Sequence, residues 1–196
     1  MKDIVFDWGE RIVLILLFVM FAVSNLASGN PVNFIILVGE AMTAYFVLTR
    51  RRALSVTENP VDWLLAFAGT FAPLLTRPGG EPLADGFATG FLVVGTLLAL
   101  AAKLSLNRRF GIAPANRGVQ ASWTYALIRH PMYLGYMVAQ IGYVLYNPTI
   151  WNLTVYAAAW MLQLARIARE ERHLMQDSAY RDYAARVRHR LVPGVY

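Results

Sequence analysis

One short stretch, Arg129 to Gly135, concentrates residue types that can do chemistry. It supplies a cation at Arg129, an imidazole at His130 and a phenol at Tyr133, and an apolar run follows at once. Pro131 suits the first turn of a helix, because its missing N–H would have no partner there in any case. We therefore predict a helix that begins at Pro131, with a polar site at its mouth where N–H groups favour anions.

Two adjacent carboxylates, Glu170 and Glu171, follow the last apolar run. A tight Asn147-Pro148 turn joins that run to the preceding one, so the two runs should form an antiparallel hairpin. The start of one and the end of the other then share one side. The hairpin predicts that Arg129, His130 and Tyr133 meet Arg169, Glu170 and Glu171. The plainer alternative is a solvated helix turn with local ion pairs, each of which is worth little.

The composition indicates a membrane protein. Hydrophobic residues make up 57% of the 196 residues and charged residues only 15%, whereas a soluble domain carries about 25% charge. The absence of cysteine excludes disulfides and thiolate chemistry. We predict an all-α integral membrane protein with about six transmembrane helices. The apolar runs are about 12–27, 34–49, 61–75, 87–104, 132–146 and 150–165. Because the third run is short and contains Pro73, whether it spans is left open.

The distribution of charge predicts the topology. If all the runs span, every one of the 18 Lys and Arg residues except Arg77 falls on one side. The positive-inside rule then predicts that both termini are cytoplasmic, and we expect a bacterial inner membrane. The net charge of +6 is therefore a topology signal, and no nucleic-acid partner is expected.

The C-terminal region shows helical periodicity with charges between the apolar positions. Those positions are Tyr180, Tyr183, Ala184, Val187 and Leu191. They predict an amphipathic cytosolic helix that either lies on the membrane or caps the bundle. We see no internal repeat or domain boundary and expect one membrane domain over 1–196.

Other residues within the runs are also candidates for packing or function. Glu40 lies in the middle of the second run, where a carboxylate is costly, so it either bonds to a neighbouring helix or contacts the acceptor. Gly135, Ala139 and Gly142 form a stripe of small residues that lets another helix approach closely. Gly135 would also leave room for a ligand. The histidines show no metal-ligand spacing, and no metal is expected.

Together, these motifs resemble the isoprenylcysteine carboxyl methyltransferase family, whose wider group includes the phospholipid N-methyltransferases. The resemblance covers about 103–196, whereas 1–102 corresponds to the variable N-terminal helices of the family. It rests on Asn107-Arg108-Arg109-Phe110-Gly111, Tyr125, the stretch from Arg129 to Gly135, Glu170-Glu171 with Leu174, Tyr180, Tyr183 and Pro193. The chain departs from the family pattern at Trp123-Thr124, where Gly-Pro is usual, and at Asn107-Arg108-Arg109-Phe110.

The resemblance implies a membrane methyltransferase that binds S-adenosylmethionine in a cytosolic pocket. The last two membrane helices and the C-terminal tail form that pocket in the family. The cofactor carboxylate suits Arg129, His130 or the helix-start N–H groups. Its ribose suits Glu170 or Glu171, and its sulfonium suits the ring of Tyr133. The implied cofactor-binding residues are Tyr125, His130, Pro131, Tyr133, Leu134, Gly135, Glu170 and Glu171.

The methyl acceptor is expected to be a lipid or other hydrophobic molecule that enters from the bilayer. An acceptor carboxylate would need an arginine, Arg129 or Arg169, and an acceptor amine would need a base, Glu170 or Glu171. The expected catalytic residues are Arg129, Arg169 and Glu171, and O- and N-methylation stay open. Two other functions remain as alternatives. One is an NADPH-dependent membrane reductase resembling sterol reductases, and the other is a non-catalytic membrane scaffold.

Overall fold

A computed structural model describes residues 41–195 apart from 43 and 52, together with 8–9, 11–12, 15–16, 18–19 and 22–23. The chain is mostly helical, as predicted. After a helical stretch at 44–49, the α-helices are α1 Pro60–Phe71, α2 Asp85–Leu106, α3 Pro131–Tyr146, α4 Ile150–Leu174 and α5 Ser178–Arg186. Short 3-10 helices cover Ala72–Leu75, Asn107–Arg109 and Trp123–Ala126. Two short strands, β1 Ser55–Val56 and β2 Ala115–Asn116, pair antiparallel.

Local sequence sets the helix starts. The side chain of Asn59 accepts a hydrogen bond from the Val61 N–H ahead of α1, and Asp177 does the same for Ala179 ahead of α5. These side chains satisfy N–H groups that have no partner within the helix. α3 begins at Pro131, as predicted. The predicted hairpin between α3 and α4 is also confirmed, because a short turn joins them and Trp160 of α4 donates a hydrogen bond to Gln140 of α3.

Helices α2 and α3 pack backbone against backbone through small residues. A Cβ atom added to Gly95 would lie 2.2 Å from the Ala139 nitrogen, and one added to Gly135 would lie 2.4 Å from the Ala99 nitrogen. Gly142 makes an equally close approach to α2. The predicted stripe is therefore a helix-packing surface. The space beside Gly135, which was predicted to admit either another helix or a ligand, is filled by α2.

The six predicted membrane spans are not confirmed. Within the residues that the structure describes, only Asp85–Arg109 is by itself long and apolar enough to cross a membrane. α1 has 12 residues and α3 has 16. α4 has 25 residues, but its second half is rich in charge. The first predicted run and most of the second lie outside the described residues, and so does Glu40.

Large apolar side chains are exposed on the outer faces of α2 and α4. Examples are Phe87, Val94, Leu97, Leu153 and Met161. Soluble monomeric proteins rarely expose large contiguous apolar patches, and a lipid-facing surface does. These exposed apolar side chains are therefore typical of the lipid-facing surface of a membrane-embedded helix bundle.

The C-terminal segment caps the bundle, which was one of the two predicted alternatives. The Tyr183 hydroxyl donates a 2.8 Å hydrogen bond to the Tyr125 carbonyl. The predicted helix was too long, because α5 ends at Arg186. Beyond it, the tail turns back to pair with the segment before α3, and Leu191 is buried in the main core.

Candidate active site

Glu171 is the centre of a buried polar network at the mouth of α3. It is 3% exposed. His130 Nε2 lies 2.8 Å from its Oε1, and the Tyr180 hydroxyl donates to the same oxygen at 2.7 Å. Arg129 Nη1 forms an ion pair with Oε2 at 2.9 Å, and Arg190 lies at 3.7 Å. Because an ionised carboxylate only accepts hydrogen bonds, the Nε2–H of His130 is the donor in this pair.

This network keeps Glu171 ionised. Burial opposes ionisation, but the hydrogen bonds from His130 and Tyr180 and the charges of His130 and Arg129 outweigh it, and they lower the pKa of Glu171 below its usual range. Burial is the main cause that raises the pKa of the Tyr180 phenol, and the neighbouring Glu171 carboxylate raises it further. Tyr180 therefore stays neutral and serves as a hydrogen-bond donor.

Glu170 has different surroundings from its neighbour. The Tyr133 hydroxyl donates a 2.8 Å hydrogen bond to Glu170 Oε2, and Glu170 faces a cleft. Arg166 Cζ lies over the Tyr133 ring, 5.3 Å from its centroid. A protein cation thus already contacts the ring that we predicted for the cofactor sulfonium.

The N–H groups before α3 are occupied by the C-terminal tail. The Arg129 N–H donates to the His189 carbonyl at 3.0 Å, and the His130 N–H donates to the Arg190 carbonyl at 2.8 Å. These two donors, which were candidates for holding a cofactor carboxylate, therefore bind backbone instead. The pairing explains why the tail leaves its helical path and covers this end of the bundle.

A partly open cleft adjoins the network and contains about 760 Å³ of space not filled by atoms, which includes open solvent. The start of α3, the end of α4, α5 and the loop 109–120 enclose it. Its polar and aromatic lining comprises Arg109, Asn116, Arg117, Gln120, Tyr125, Arg129, His130, Tyr133, Glu170, Tyr180 and Tyr183. Among these lining residues, Glu170 is the one carboxylate.

Arg169 points away from this cleft. Its Nε forms an ion pair with Asp62 on α1, and Thr57 also donates to Asp62. Arg169 is not among the cleft-lining residues. Its role as an acceptor contact stays a prediction.

The structure therefore brings most of the predicted site residues together. Pro131 and Leu134 support the site by starting α3 and by packing in the core, without lining the cleft. Sequence reasoning did not assign Arg117 or Gln120 to the site. The only signal for them was their place in a long polar connection ahead of the helix mouth.

Comparison with known families gives a match over part of the chain. Residues 88–176 match the model of the isoprenylcysteine carboxyl methyltransferase (ICMT) family. This match confirms the resemblance carried by the motifs and supports a membrane methyltransferase in general. The match runs from α2 to the end of α4 and includes both Glu170 and Glu171. No curated protein matches the chain significantly.

Proposed function

We propose that this protein is an S-adenosylmethionine-dependent methyltransferase that acts on a lipid or other hydrophobic acceptor at the cytoplasmic face of the membrane. The observation that carries the proposal is the cleft at the mouth of α3. It lies within the family-matched segment and combines guanidinium groups, a carboxylate and aromatic rings beside apolar helices. The cluster of basic residues at this end favours the cytoplasmic side.

The lining of the cleft fits the parts of this cofactor. Arg109, Arg117 and Arg129 offer guanidinium groups for a carboxylate. Glu170 offers acceptor oxygens for ribose hydroxyls or for a cationic group. The rings of Tyr180 and Tyr183, whose centroids are 5.6 Å apart, offer apolar surface for the adenine.

Glu171 has a positioning role in this proposal. It contacts Arg129, His130 and Tyr180, and these three residues also line the cleft. Glu171 thus fixes the orientation of residues that face the ligand. Such preorganisation matters because small displacements of a binding group reduce rates strongly.

S-adenosylmethionine supplies an electrophilic methyl group on a positively charged sulfur. Transfer forms a bond from the methyl carbon to an acceptor oxygen or nitrogen while the carbon–sulfur bond breaks, and sulfur keeps the electron pair. A carboxylate acceptor releases no proton, whereas an amine must lose one. Glu170 lines the cleft and is the group placed to take such a proton. Beyond that step, the chain has to align and hold its ligands.

The experiment is a transfer assay with the protein reconstituted in vesicles of bacterial membrane lipid. Methyl-labelled S-adenosylmethionine is added, and label is counted in the organic extract. The proposal predicts extractable label that falls strongly in Glu170→Gln and persists in Arg172→Met, which alters an exposed arginine of α4. Base treatment releases label from a methyl ester and leaves N-methyl groups intact. A folded protein that binds the cofactor but labels no lipid would overturn the lipid acceptor.

A further inference from the structure

Arg166 of α4 is a buried cation to which the proposed function assigns no role. Its side chain belongs to a residue that is 4% exposed. Among the residues that the structure describes, no carboxylate forms an ion pair with it. A buried charge without a counter-ion is costly unless hydrogen bonds and dipoles compensate it. The groups that compensate this guanidinium therefore show what it holds in place.

Three different elements supply the partners of Arg166. Its Nη1 donates a 3.3 Å hydrogen bond to the Thr70 hydroxyl of α1, and its Nη2 donates to the Ile112 carbonyl in the loop 109–120. Its Cζ lies over the ring of Tyr133 on α3. A guanidinium suits this position because its planar fork can donate in two directions while its face stacks on a ring. Arg166 therefore joins α1, the cleft loop and α3 at one point.

The contact with the loop lies directly behind the wall of the cleft. Gly111 and Ala113 line the cleft, whereas Ile112 between them is buried in the main core. Beyond them, the Thr57 N–H donates a 3.0 Å hydrogen bond to the carbonyl of residue 114, which ties the loop to the chain before α1. Arg166 itself does not line the cleft. It thus holds this wall from outside.

The contact with Tyr133 reaches the carboxylate of the cleft. Arg166 covers one face of the Tyr133 ring, and the edge-to-face Tyr136 ring has its centroid 6.4 Å away. A cation over a ring face stabilises one placement of the ring. The Tyr133 hydroxyl then donates to Glu170 Oε2, and Glu170 lines the cleft. The direction of the Glu170 carboxylate therefore depends on Arg166 through Tyr133.

We propose that Arg166 is a positioning residue that holds the loop 109–120 against the bundle and orients Tyr133 towards Glu170. The inference rests on the proposed function insofar as the cleft binds S-adenosylmethionine. Arg166 acts on that ligand through the loop and through Tyr133, without touching it. The contact with Thr70 also links the cleft to α1, which lies outside the family-matched segment 88–176.

The first test measures the loop without any cofactor. Hydrogen–deuterium exchange is recorded on the full-length wild type, on Arg166→Met and on Arg172→Met, which alters an exposed arginine of the same helix. In Arg166→Met, exchange should become faster in peptides that cover 110–118, because a local restraint is lost. Peptides from the tail 187–195 and the whole Arg172→Met variant should keep wild-type rates. Unchanged exchange in the loop would overturn the proposal, and so would a uniform increase over the whole chain.

The second test is calorimetric titration of the same variants with S-adenosylhomocysteine. Arg166→Met should weaken binding about tenfold, because small displacements of binding groups are costly. Arg166→Lys should recover part of the affinity, since it keeps a cation over the Tyr133 ring and one donor. Wild-type affinity in Arg166→Met, or no recovery in Arg166→Lys, would overturn the proposal.

A milder variant keeps both tests decisive if Arg166→Met folds poorly. Thr70→Val preserves the shape of the side chain and removes one hydrogen bond of the guanidinium. It should accelerate exchange in the loop and weaken S-adenosylhomocysteine binding, both to a smaller extent than Arg166→Met. Wild-type behaviour of Thr70→Val in both measurements would overturn the proposal. Absence of binding by the wild type would overturn the proposed function alone, because the exchange experiment does not use the cofactor.

Discussion

Replacing Glu171 with glutamine should destabilise the protein far more than the same change at Glu170. Glu171 is buried, with Arg129 in an ion pair and His130 and Tyr180 as hydrogen-bond donors. Removing one partner of a buried pair costs about 3–5 kcal/mol, because the other charge is left uncompensated. Glutamine still accepts a hydrogen bond, so we expect the lower end, about 3 kcal/mol. Glu170 accepts a hydrogen bond from Tyr133, which is worth about 1 kcal/mol.

The assay is thermal unfolding of the two variants in the same detergent and at the same scan rate, since membrane proteins often unfold irreversibly. For a chain of this size, each kcal/mol shifts Tm by about 2–4 °C. Glu171→Gln should therefore lower Tm by about 6–12 °C, and Glu170→Gln by about 2–4 °C. Equal shifts, or a larger one for Glu170→Gln, would refute the assignment of Glu171 as the buried centre of the network.

Three further predictions concern acid stability, helix packing and the α1–α4 ion pair. Because folding lowers the pKa of Glu171, the unfolded chain binds more protons between the folded and ordinary pKa values. The free energy of unfolding should therefore fall as pH falls through that window, and Glu171→Gln should flatten this dependence in acid unfolding curves. Gly135→Ala should lower the free energy of unfolding by about 1–3 kcal/mol, because its methyl group would collide with α2. Gly90→Ala, which meets open space, should leave it unchanged or raise it in the same denaturation assay. Asp62→Asn and Arg169→Met should be coupled by at least about 0.5 kcal/mol in a double-mutant cycle, and strict additivity would exclude their ion pair.

The local elements of the site could be predicted from the sequence because their signals are local. Pro131 marks the start of α3, and the Asn147-Pro148 turn brings that start beside the end of α4. The stripe of small residues that includes Gly135 predicted the close approach of another helix. It did not predict that this helix is α2. Each of these inferences needed only neighbours in the chain.

The directions of individual side chains could not be predicted in the same way. Successive residues on an α-helix point about 100° apart, so Arg169, Glu170 and Glu171 face different surroundings. Arg169 faces Asp62, Glu170 faces the cleft, and Glu171 lies in the buried network. Asp62 lies on a distant part of the chain, and no local pattern connects it to α4. The end of α5 was also misplaced, because the tail backbone pairs with Arg129 and no side-chain periodicity encodes that pairing.

Calorimetric titration of the detergent-purified protein tests the central claim most directly. S-adenosylmethionine, S-adenosylhomocysteine and NADPH would be added in separate runs. Our account predicts saturable binding of the first two, strong weakening by Glu170→Gln, and no binding of NADPH. Binding of NADPH alone would contradict the methyltransferase and favour a reductase. Binding of none of the three by a folded protein would favour a non-catalytic membrane scaffold.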